Sequence, residues 1–343
     1  SEVLRLVVRA PNWLGDAVMA LPAIGAVRAA FPDARLTIAA APSVAPLFEE
    51  DTGAGQNDII ALTAGTEAAA LGAGQFDAAL LLPNSFRTAW AARQAGIAAR
   101  WGYGGNLRGW LLTRAVRRPS GPLHQSAFYA DLVRGLDIAV HHSVPRLAVR
   151  SETSIRAEAF MVRHGVRVHA PVVGFAAGAA YGHAKRWPPA RVAEVIARLA
   201  ELRRATCVLV GAAGDRDAAR EIESSLPPGV RVVDFVGRTD LRLLAGVISL
   251  CDAFVSNDSG AMHLAAALGV PVTAIFGPTD DRVTAPPAGA AGNVVLVHDV
   301  FCRPCMLRDC PIDHRCMKGI TADAVFESVS RRLDARGAME SGN

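Results

Sequence analysis

The stretch AFVSNDSGAMHLAAALGVPVTAIF, residues 253–276, contains the pattern that indicates the fold of this chain. A short apolar run, Ala253–Ser256, is followed by Asp258 and Ser259, residue types that begin helices by accepting hydrogen bonds from free backbone amides. Gly269 then ends the helical pattern, and a second apolar run completes the stretch. A strand, a helix and a second strand in this order form a βαβ unit, which predicts a parallel sheet covered by helices.

The same alternation of short β-branched runs and alanine-rich helical stretches extends through the whole sequence. The runs are apolar throughout, as expected for parallel strands that helices cover on both faces. The chain is therefore predicted to belong to the α/β class, with two doubly wound, Rossmann-like parallel-sheet domains. The predicted strands are Leu4–Arg9, Leu36–Ala40, Ile59–Leu62, Ala78–Leu82, Val172–Phe175, Thr206–Val210, Val232–Phe235, Ala253–Ser256 and Val272–Phe276.

Length and composition agree with two domains. The chain has 343 residues, of which 51% are hydrophobic and 20% charged, and these values exclude intrinsic disorder. A proline-containing, polar break predicts an N-terminal domain at 1–150, a linker at 151–171 and a C-terminal domain at 172–343, whose last helix is able to pack back on the first domain. A helix is expected within the linker, from Ser154 to His164. No apolar run reaches the roughly 18 residues of a membrane span, and no secretory leader is recognised, so a cytoplasmic protein is expected.

Ligands of doubly wound sheets bind beyond the carboxyl ends of the strands, so the expected site is a cleft between two facing domains. The first strand leads into a helix through PNWLGD, residues 11–16, which places Asp16 at the edge of that cleft. Its carboxylate is suited either to capping the helix or to acting as a general base.

Two segments of the second half contain groups suited to an anion. The run Gly174–Gly178 leads through a loop to Lys185, and loop amides with an ammonium group form an anion site, although the spacing is not that of a Walker motif. The helix start at Asp258–Gly260 offers further free amides, with His263 one turn away. The alternatives are an ordinary surface loop for the first segment and a structural histidine for the second.

A basic stretch free of acidic residues lies between Asp77 and Asp131. It is suited to nucleic acid, through phosphate contacts and stacking, or to an anionic lipid head group or membrane surface. The further alternative is a solvated arginine face. The arginines are Arg87, Arg93, Arg100, Arg108, Arg114, Arg117 and Arg118, and Trp90, Trp101, Tyr103 and Trp110 lie among them.

A compact group of cysteines near the C-terminus has the spacing C-x2-C-x4-C-x5-C. This spacing is compatible with a structural metal or cluster site. Reduced thiols, or disulfides formed on isolation, explain it equally well. The cysteines are Cys302, Cys305, Cys310 and Cys316.

At these motifs the chain resembles the bacterial lipopolysaccharide heptosyltransferases, which are inverting glycosyltransferases of family 9 with the GT-B fold. The resemblance covers nearly the whole chain. Within the family, Ala180 and Tyr181 stand where type I enzymes have hydroxyl residues, which favours the type II branch. The matching segments are PNWLGD at 11–16, LPNSF at 82–86, GAAYGHAKRWP at 178–188 and SNDSGAMH at 256–263, continuing through Gly277–Thr279.

The resemblance implies that heptose moves from ADP-L-glycero-D-manno-heptose to the first inner-core heptose of lipopolysaccharide, with Asp16 as the base. It implies a monomer that is cytoplasmic and peripheral to the inner membrane, with an anionic lipopolysaccharide acceptor, no nucleic-acid partner and no cofactor required for chemistry. The implied donor-binding residues are Gly178, Lys185, Asp258, Ser259, Gly260 and His263, with Asp215 at the ribose and Thr239 at the adenine. The implied acceptor-binding residues are Asn12, Trp13, Asn84, Ser85 and Arg108.

Two alternatives remain at this point. A related sugar-nucleotide enzyme of the same architecture would use another sugar, or would be an epimerase that acts on the donor alone and needs no arginine stretch. A nucleic-acid-binding module would use the arginine and aromatic stretch, but that stretch lacks a recognised reading motif.

Overall fold

The computed structural model divides into two compact units, Ser1–Ala148 and Val149–Asn343. Each unit contains a six-stranded parallel sheet with helices, as the alternating pattern of the sequence predicts. No helix in the described part of the chain is both long and apolar enough to cross a membrane. The structure describes residues 3–167, 170–178, 182–287 and 290–341.

The sheet of the first unit has the strand order β3-β2-β1-β4-β5-β6, and every neighbouring pair is parallel. Its strands are β1 Arg5–Arg9, β2 Arg35–Ala40, β3 Asp58–Ala61, β4 Ala78–Leu81, β5 Ala99–Tyr103 and β6 Arg114–Val116. Its helices are α1 Leu14–Met19, α2 Leu21–Ala30, α3 Glu67–Ala73, α4 Phe86–Gln94 and α5 Gln125–Arg134, with 3-10 turns at Ala45–Glu49 and Gly109–Leu111.

The sheet of the second unit has the order β12-β11-β10-β7-β8-β9, again all parallel. Its strands are β7 Val172–Ala176, β8 Thr206–Val210, β9 Val233–Asp234, β10 Ala253–Asn257, β11 Val272–Phe276 and β12 Val294–Val297. Its helices are α6 Ser151–Arg163, α7 Pro189–Arg203, α8 Arg216–Ser224, α9 Leu241–Ser249, α10 Gly260–Ala267, α11 Asp281–Thr284, α12 Arg315–Lys318 and α13 Ala322–Ser341, with 3-10 turns at His183–Lys185, Ala213–Asp215 and Ala290–Gly292.

Both sheets have the doubly wound order 3-2-1-4-5-6 when each unit is counted from its own first strand. The winding reverses between β1 and β4 in the first unit, where Arg9 pairs with Leu81. It reverses between β7 and β10 in the second, where Phe175 pairs with Val255. The loops that leave these strand pairs diverge to opposite faces of the sheet, which creates a crevice at the carboxyl ends.

All nine predicted strands are present, with every bound within one residue of the prediction, but β5, β6 and β12 were not predicted. The first two lie at one side of their sheet, and β5 has the sequence ARWGY, which has no β-branched residue. The strand signal is weak there because strands at or next to the edge of a sheet need fewer apolar residues than central ones.

The segment expected as a linker, residues 151–171, contains helix α6, which packs on α9 within the second unit. Its buried face includes Ala157, Phe160 and Met161, so the helix has an apolar stripe that needs a partner. The C-terminal helix α13 packs on α7 and on the adjoining strands of the same unit, where Val325 and Val329 enter the core.

Candidate functional site

An ion pair lies at the reversal point of the second sheet, at the carboxyl end of β10. The Nζ atom of Lys185 donates to Oδ2 of Asp258 at 2.8 Å, and the two side chains are only 12% and 10% exposed. The Thr284 hydroxyl donates to the other carboxylate oxygen at 3.4 Å. A charge with so little water needs a charged partner, so the pair fixes the ammonium group beside the start of α10.

Backbone contacts tie the Lys185 segment to the end of β10. The amide of Trp187 donates to Oδ1 of Asn257 at 3.3 Å, and the buried Trp187 indole donates to the carbonyl of Ile320 at 3.0 Å. Lys185 is therefore held by the loop on its C-terminal side as well as by its own ion pair. Ala180 and Tyr181, which distinguish the two family branches, lie outside the described residues.

Ser259, rather than Asp258, caps helix α10. Its hydroxyl accepts from the amide of Met262 at 3.4 Å and lies 2.9 Å from the hydroxyl of Ser256. The predicted donor residue Gly260 is the first residue of the helix, and His263 is buried within its first turns. The amides at this helix start and the positive end of the helix dipole favour an anion.

The carboxylate of Asp215 lies against the predicted donor glycine at the end of β7. A Cβ atom on Gly178 would come within 1.7 Å of Oδ1 of Asp215, so any side chain there would displace this carboxylate. The Oδ2 atom accepts from the amide of Ala212 at 2.9 Å, at the end of β8. Gly237 lies against this same turn, its amide donating to the carbonyl of Gly211, and the chain continues to Thr239. The structure thus brings Gly178, Asp215 and Thr239 to the carboxyl edge of the sheet that also carries Lys185 and Asp258.

The cysteine segment, residues 302–316, crosses two loops of this edge. The amide of Met306 donates to the carbonyl of Pro278 at 2.9 Å, and the carbonyl of Arg308 accepts from Ala184 at 2.9 Å. A Cβ atom on Gly182 would lie 2.5 Å from that same carbonyl, so the segment touches the Lys185 turn closely.

The expected structural metal at Cys302, Cys305, Cys310 and Cys316 is not supported. The four thiols are free, and within the described ranges no group of three or more His, Cys, Asp or Glu side chains is placed to hold a metal ion. Hydrogen bonds, packing and the ion pairs of Arg303 hold the segment instead, and burial raises the pKa of the Cys316 thiol.

Sequence reasoning missed two residues at this edge. Arg303 donates to the carbonyl of Gly277 at 2.9 Å and pairs with Asp281, which fixes the turn after β11. The hydroxyl of Thr279 in that turn is buried and has no hydrogen-bond partner among the described residues. A buried hydroxyl without a partner is a candidate ligand contact. The Gly277–Thr279 motif was the available signal.

In the first unit, Asp16 does not cap helix α1. The cap position is Trp13, whose side chain makes no capping bond, and Asp16 lies half-buried in the first turn. Burial, and then the negative charge of Asp16, raise the pKa of the Tyr129 hydroxyl on α5. Asp16 therefore lies close enough to α5 for its charge to act on the Tyr129 hydroxyl.

In the first unit, Arg9 at the end of β1 is another residue that sequence reasoning did not include in the site. Its buried guanidinium donates to Oε1 of Glu67 at 2.7 Å and to Oδ1 of Asn12 at 2.8 Å. The predicted acceptor residue Asn12 is therefore held in one orientation, and Trp13 beside it is exposed.

The neighbouring strand β4 ends in the other predicted acceptor residues. Ser85 caps α4, because its hydroxyl accepts from the Thr88 amide at 3.2 Å, and the Asn84 carbonyl accepts from Asn106 at 2.8 Å. Since β1 and β4 are adjacent, the structure brings Asn12, Asn84 and Ser85 to the same edge.

Arg108 occupies a different position from the one expected for an acceptor ligand. It is completely buried, and burial lowers its pKa to about 10. Its guanidinium donates to the carbonyls of Tyr103 at 2.9 Å, Pro83 at 2.6 Å and Ser85 at 3.2 Å. It therefore shapes the Asn84–Ser85 loop from inside the unit and has no exposed surface for an acceptor.

Two further arginines of the basic stretch bond to groups within the first unit. Arg100 donates to backbone carbonyls, including that of Leu111, and Arg114 pairs with Asp137 at 2.8 Å. The remaining four, Arg87, Arg93, Arg117 and Arg118, are exposed.

Two Rossmann-like, six-stranded parallel sheets in one chain are the architecture of the GT-B class of glycosyltransferases. The family model "Glycosyltransferase family 9 (heptosyltransferase)" matches residues 67–315, which is more than half of the chain. The chain belongs to glycosyltransferase family 9, the heptosyltransferases.

Relatives and solved structures agree. Lipopolysaccharide heptosyltransferase 2 of Escherichia coli K12 is 30% identical over 315 residues, covering 86% of this chain and 88% of that protein. The structure of E. coli ADP-heptose lipopolysaccharide heptosyltransferase II has a TM-score of 0.81 at 27% identity, covering 97% of this chain and 100% of that one. A family 9 glycosyltransferase of Veillonella parvula, 22% identical, covers 97% of this chain and 98% of its own and shares the fold with a TM-score of 0.83. The predicted family and GT-B fold are confirmed.

Proposed function

We propose that this chain transfers heptose, with inversion, from ADP-L-glycero-D-manno-heptose to the first inner-core heptose of lipopolysaccharide. The observation that carries the proposal is the Lys185–Asp258 pair beside the start of α10. The heptosyltransferase 2 relatives, which match over most of their length, support the choice of sugar and acceptor.

The donor diphosphate binds where the amides of α10 and the ammonium of Lys185 converge. During transfer, the bond between the anomeric carbon and the diphosphate oxygen breaks, and ADP leaves with the electron pair. Lys185 and the helix start stabilise that growing negative charge, which is the largest contribution a preorganised site makes. Asp258 keeps the ammonium in place before the donor arrives, so little reorganisation is needed on binding.

The nucleoside of the donor binds at the ends of β8 and β9. The half-exposed carboxylate of Asp215 accepts from the ribose hydroxyls, in the position where doubly wound domains place an acid for this purpose. Thr239 borders the adenine, and the buried hydroxyl of Thr279 gains a partner from the donor.

The acceptor binds at the ends of β1 and β4. Asp16 takes the proton of the attacking hydroxyl as the new bond to the anomeric carbon forms, a step that contributes roughly 10²–10⁴-fold to the rate. Asn12, Trp13, Asn84 and Ser85 orient the acceptor sugar, and Arg108 holds the loop that presents the last two. No step needs a cofactor.

We also infer that the enzyme is a monomer on the cytoplasmic face of the inner membrane, because the acceptor is anchored there and the basic stretch of the first unit exposes Arg87, Arg93, Arg117 and Arg118.

The test is an incubation with ADP-heptose in the presence and absence of heptose-primed lipopolysaccharide acceptor. We expect ADP release and a product of inverted anomeric configuration only when the acceptor is present. Conversion of the donor to an isomer without acceptor would instead identify an epimerase. Efficient turnover of another nucleotide sugar, with none of ADP-heptose, would overturn the proposed substrate.

A further inference from the structure

An exposed cluster of three aromatic rings lies on the first unit. Phe86 and Trp90 occupy successive turns of α4 and stack with their centroids 6.1 Å apart. Trp110, on the following 3-10 turn, lies 6.4 Å from Phe86 and 6.3 Å from Trp90. We call these three residues the aromatic triad.

The triad faces outward although its rings are large and apolar. Phe86, Trp90 and Trp110 are 41%, 39% and 62% exposed, and Leu107 on the adjoining loop is 87% exposed. The opposite face of α4 is buried through Ala89, Ala91 and Ala92. The helix therefore turns its small residues to the core and its aromatic residues to the outside, which is the reverse of a helix that only packs on a sheet.

Positive charge surrounds the triad. The guanidinium of Arg93 lies 5.6 Å from the centre of the Trp110 ring, and Arg87 is exposed on the same helix. Arg117 and Arg118 are exposed nearby in sequence, and Arg118 packs beside Gly105 in the loop that leads to Leu107. No acidic residue occurs between Asp77 and Asp131. The partner of this surface is therefore expected to be anionic.

Tryptophan rings with interspersed arginines are typical of surfaces that lie at the interface of an anionic bilayer. The rings have an apolar body and a polar edge, which suits the head-group level, and arginines attract anionic lipids. The geometry points to the aromatic triad as a wedge that inserts into the surface of an anionic phospholipid membrane.

The aromatic triad lies next to the loop that carries the proposed acceptor residues Asn84 and Ser85. Phe86 directly follows Ser85, and the buried Arg108 that holds Pro83 and Ser85 lies two residues before Trp110. Docking would place the proposed acceptor loop at the head-group level, where a lipid-anchored sugar begins. The benefit to transfer rests on the proposed function, whereas binding to lipid does not.

The test is co-flotation of the full chain with phosphatidylethanolamine–phosphatidylglycerol vesicles, with phosphatidylcholine vesicles for comparison. We expect binding to the anionic vesicles and a blue shift of tryptophan emission, with quenching by brominated lipid. Trp90→Ala with Trp110→Ala is expected to reduce partitioning about tenfold or more, since each buried ring removes a large apolar area from water. Arg93→Ala alone is expected to reduce it about fivefold.

A matched control is Phe301→Ala in the second unit. Phe301 is 80% exposed and also has an arginine, Arg315, 5.2 Å from its ring centre, but it lies outside the acid-free stretch, two residues after Asp299. This variant is expected to bind vesicles like the unaltered chain.

Equal loss in the control and the triad variant would overturn the proposal, as would unchanged flotation of a triad variant. A triad variant that changes the oligomeric state in sedimentation without changing flotation would identify a contact between copies instead.

With a water-soluble acceptor fragment, the triad variant is expected to retain heptose transfer. With acceptor embedded in vesicles, it is expected to lose heptose transfer. If no variant transfers heptose to either acceptor but flotation still depends on the triad, the proposed function fails and the docking surface stands.

Discussion

Lys185 and Asp258 are separated by 73 positions in the chain, yet their side chains form a 2.8 Å ion pair that is about nine-tenths buried. The pair joins the loop after β7 to the start of α10, which follows β10. Strands β7 and β10 are neighbours only because the sheet reverses its winding between them. An ammonium group held in this way is ready to meet a diphosphate without losing side-chain freedom.

Lys185→Ala is expected to weaken ADP binding about tenfold to a hundredfold, because a hydrogen bond to a charged group contributes roughly 1.5–3 kcal/mol. It also leaves the Asp258 carboxylate beside the phosphates. Isothermal titration with ADP measures the effect. Asp258→Asn is the matched control, because it breaks the ion pair but keeps the ammonium group. It is expected to lower the melting temperature and to leave ADP affinity nearly unchanged. Unchanged ADP affinity in Lys185→Ala would contradict the role of the lysine.

Asp16→Asn is expected to lower kcat by about 10²–10⁴-fold and to leave ADP-heptose affinity nearly intact, because the amide cannot accept the proton of the acceptor. Steady-state transfer and donor titration separate the two quantities. Asp33→Asn, an exposed carboxylate of the same unit, is the control and is expected to behave like the unaltered chain. Parallel losses of donor affinity and turnover in Asp16→Asn would count against a base.

Gly178→Ala is expected to displace the Asp215 carboxylate, because the added Cβ would lie 1.7 Å from its Oδ1. Both donor affinity and melting temperature are expected to fall. Gly214→Ala in the neighbouring turn, where an added Cβ meets no atom within 4 Å, is the matched control. Combining Gly178→Ala with Asp215→Ala is expected to restore the melting temperature but not donor binding. Full recovery of donor binding in that double variant would show that Asp215 does not bind the ribose.

Arg108→Ala is expected to destabilise the first unit by about 2 kcal/mol or more, because it leaves buried carbonyls without donors. For a unit of this size, that corresponds to a melting temperature about 4–8 °C lower. Thermal unfolding measures it, with the exposed Arg117→Ala as control. An Arg108→Ala protein with unaltered melting temperature but weaker acceptor binding would restore Arg108 as an acceptor ligand.

The sequence was sufficient for the fold class and for the central strands, since β-branched runs such as Val272–Phe276 must be buried on both faces. It was insufficient for β5, because the run Ala99–Tyr103 lies toward the sheet edge and contains a polar and a glycine residue. It also indicated the helix expected at Ser154–His164, although not its start at Ser151 or its packing on α9, which depends on a tertiary contact of its apolar stripe.

The candidate site divides in the same way. By itself, the sequence determined which side chains follow the central strands, because chain order and strand ends are local properties. Asp16, Gly178 and Asp258 were found in this way, whereas Asn84 was implied by the resemblance to the family. Only the tertiary structure decided how those side chains are used. An arginine is expected at the surface from sequence alone. Arg108 is buried instead, because carbonyls from two loops that are distant in sequence accept hydrogen bonds from its guanidinium. Likewise, the order of the strands brought Lys185 to Asp258, and burial of both charges made each dependent on the other.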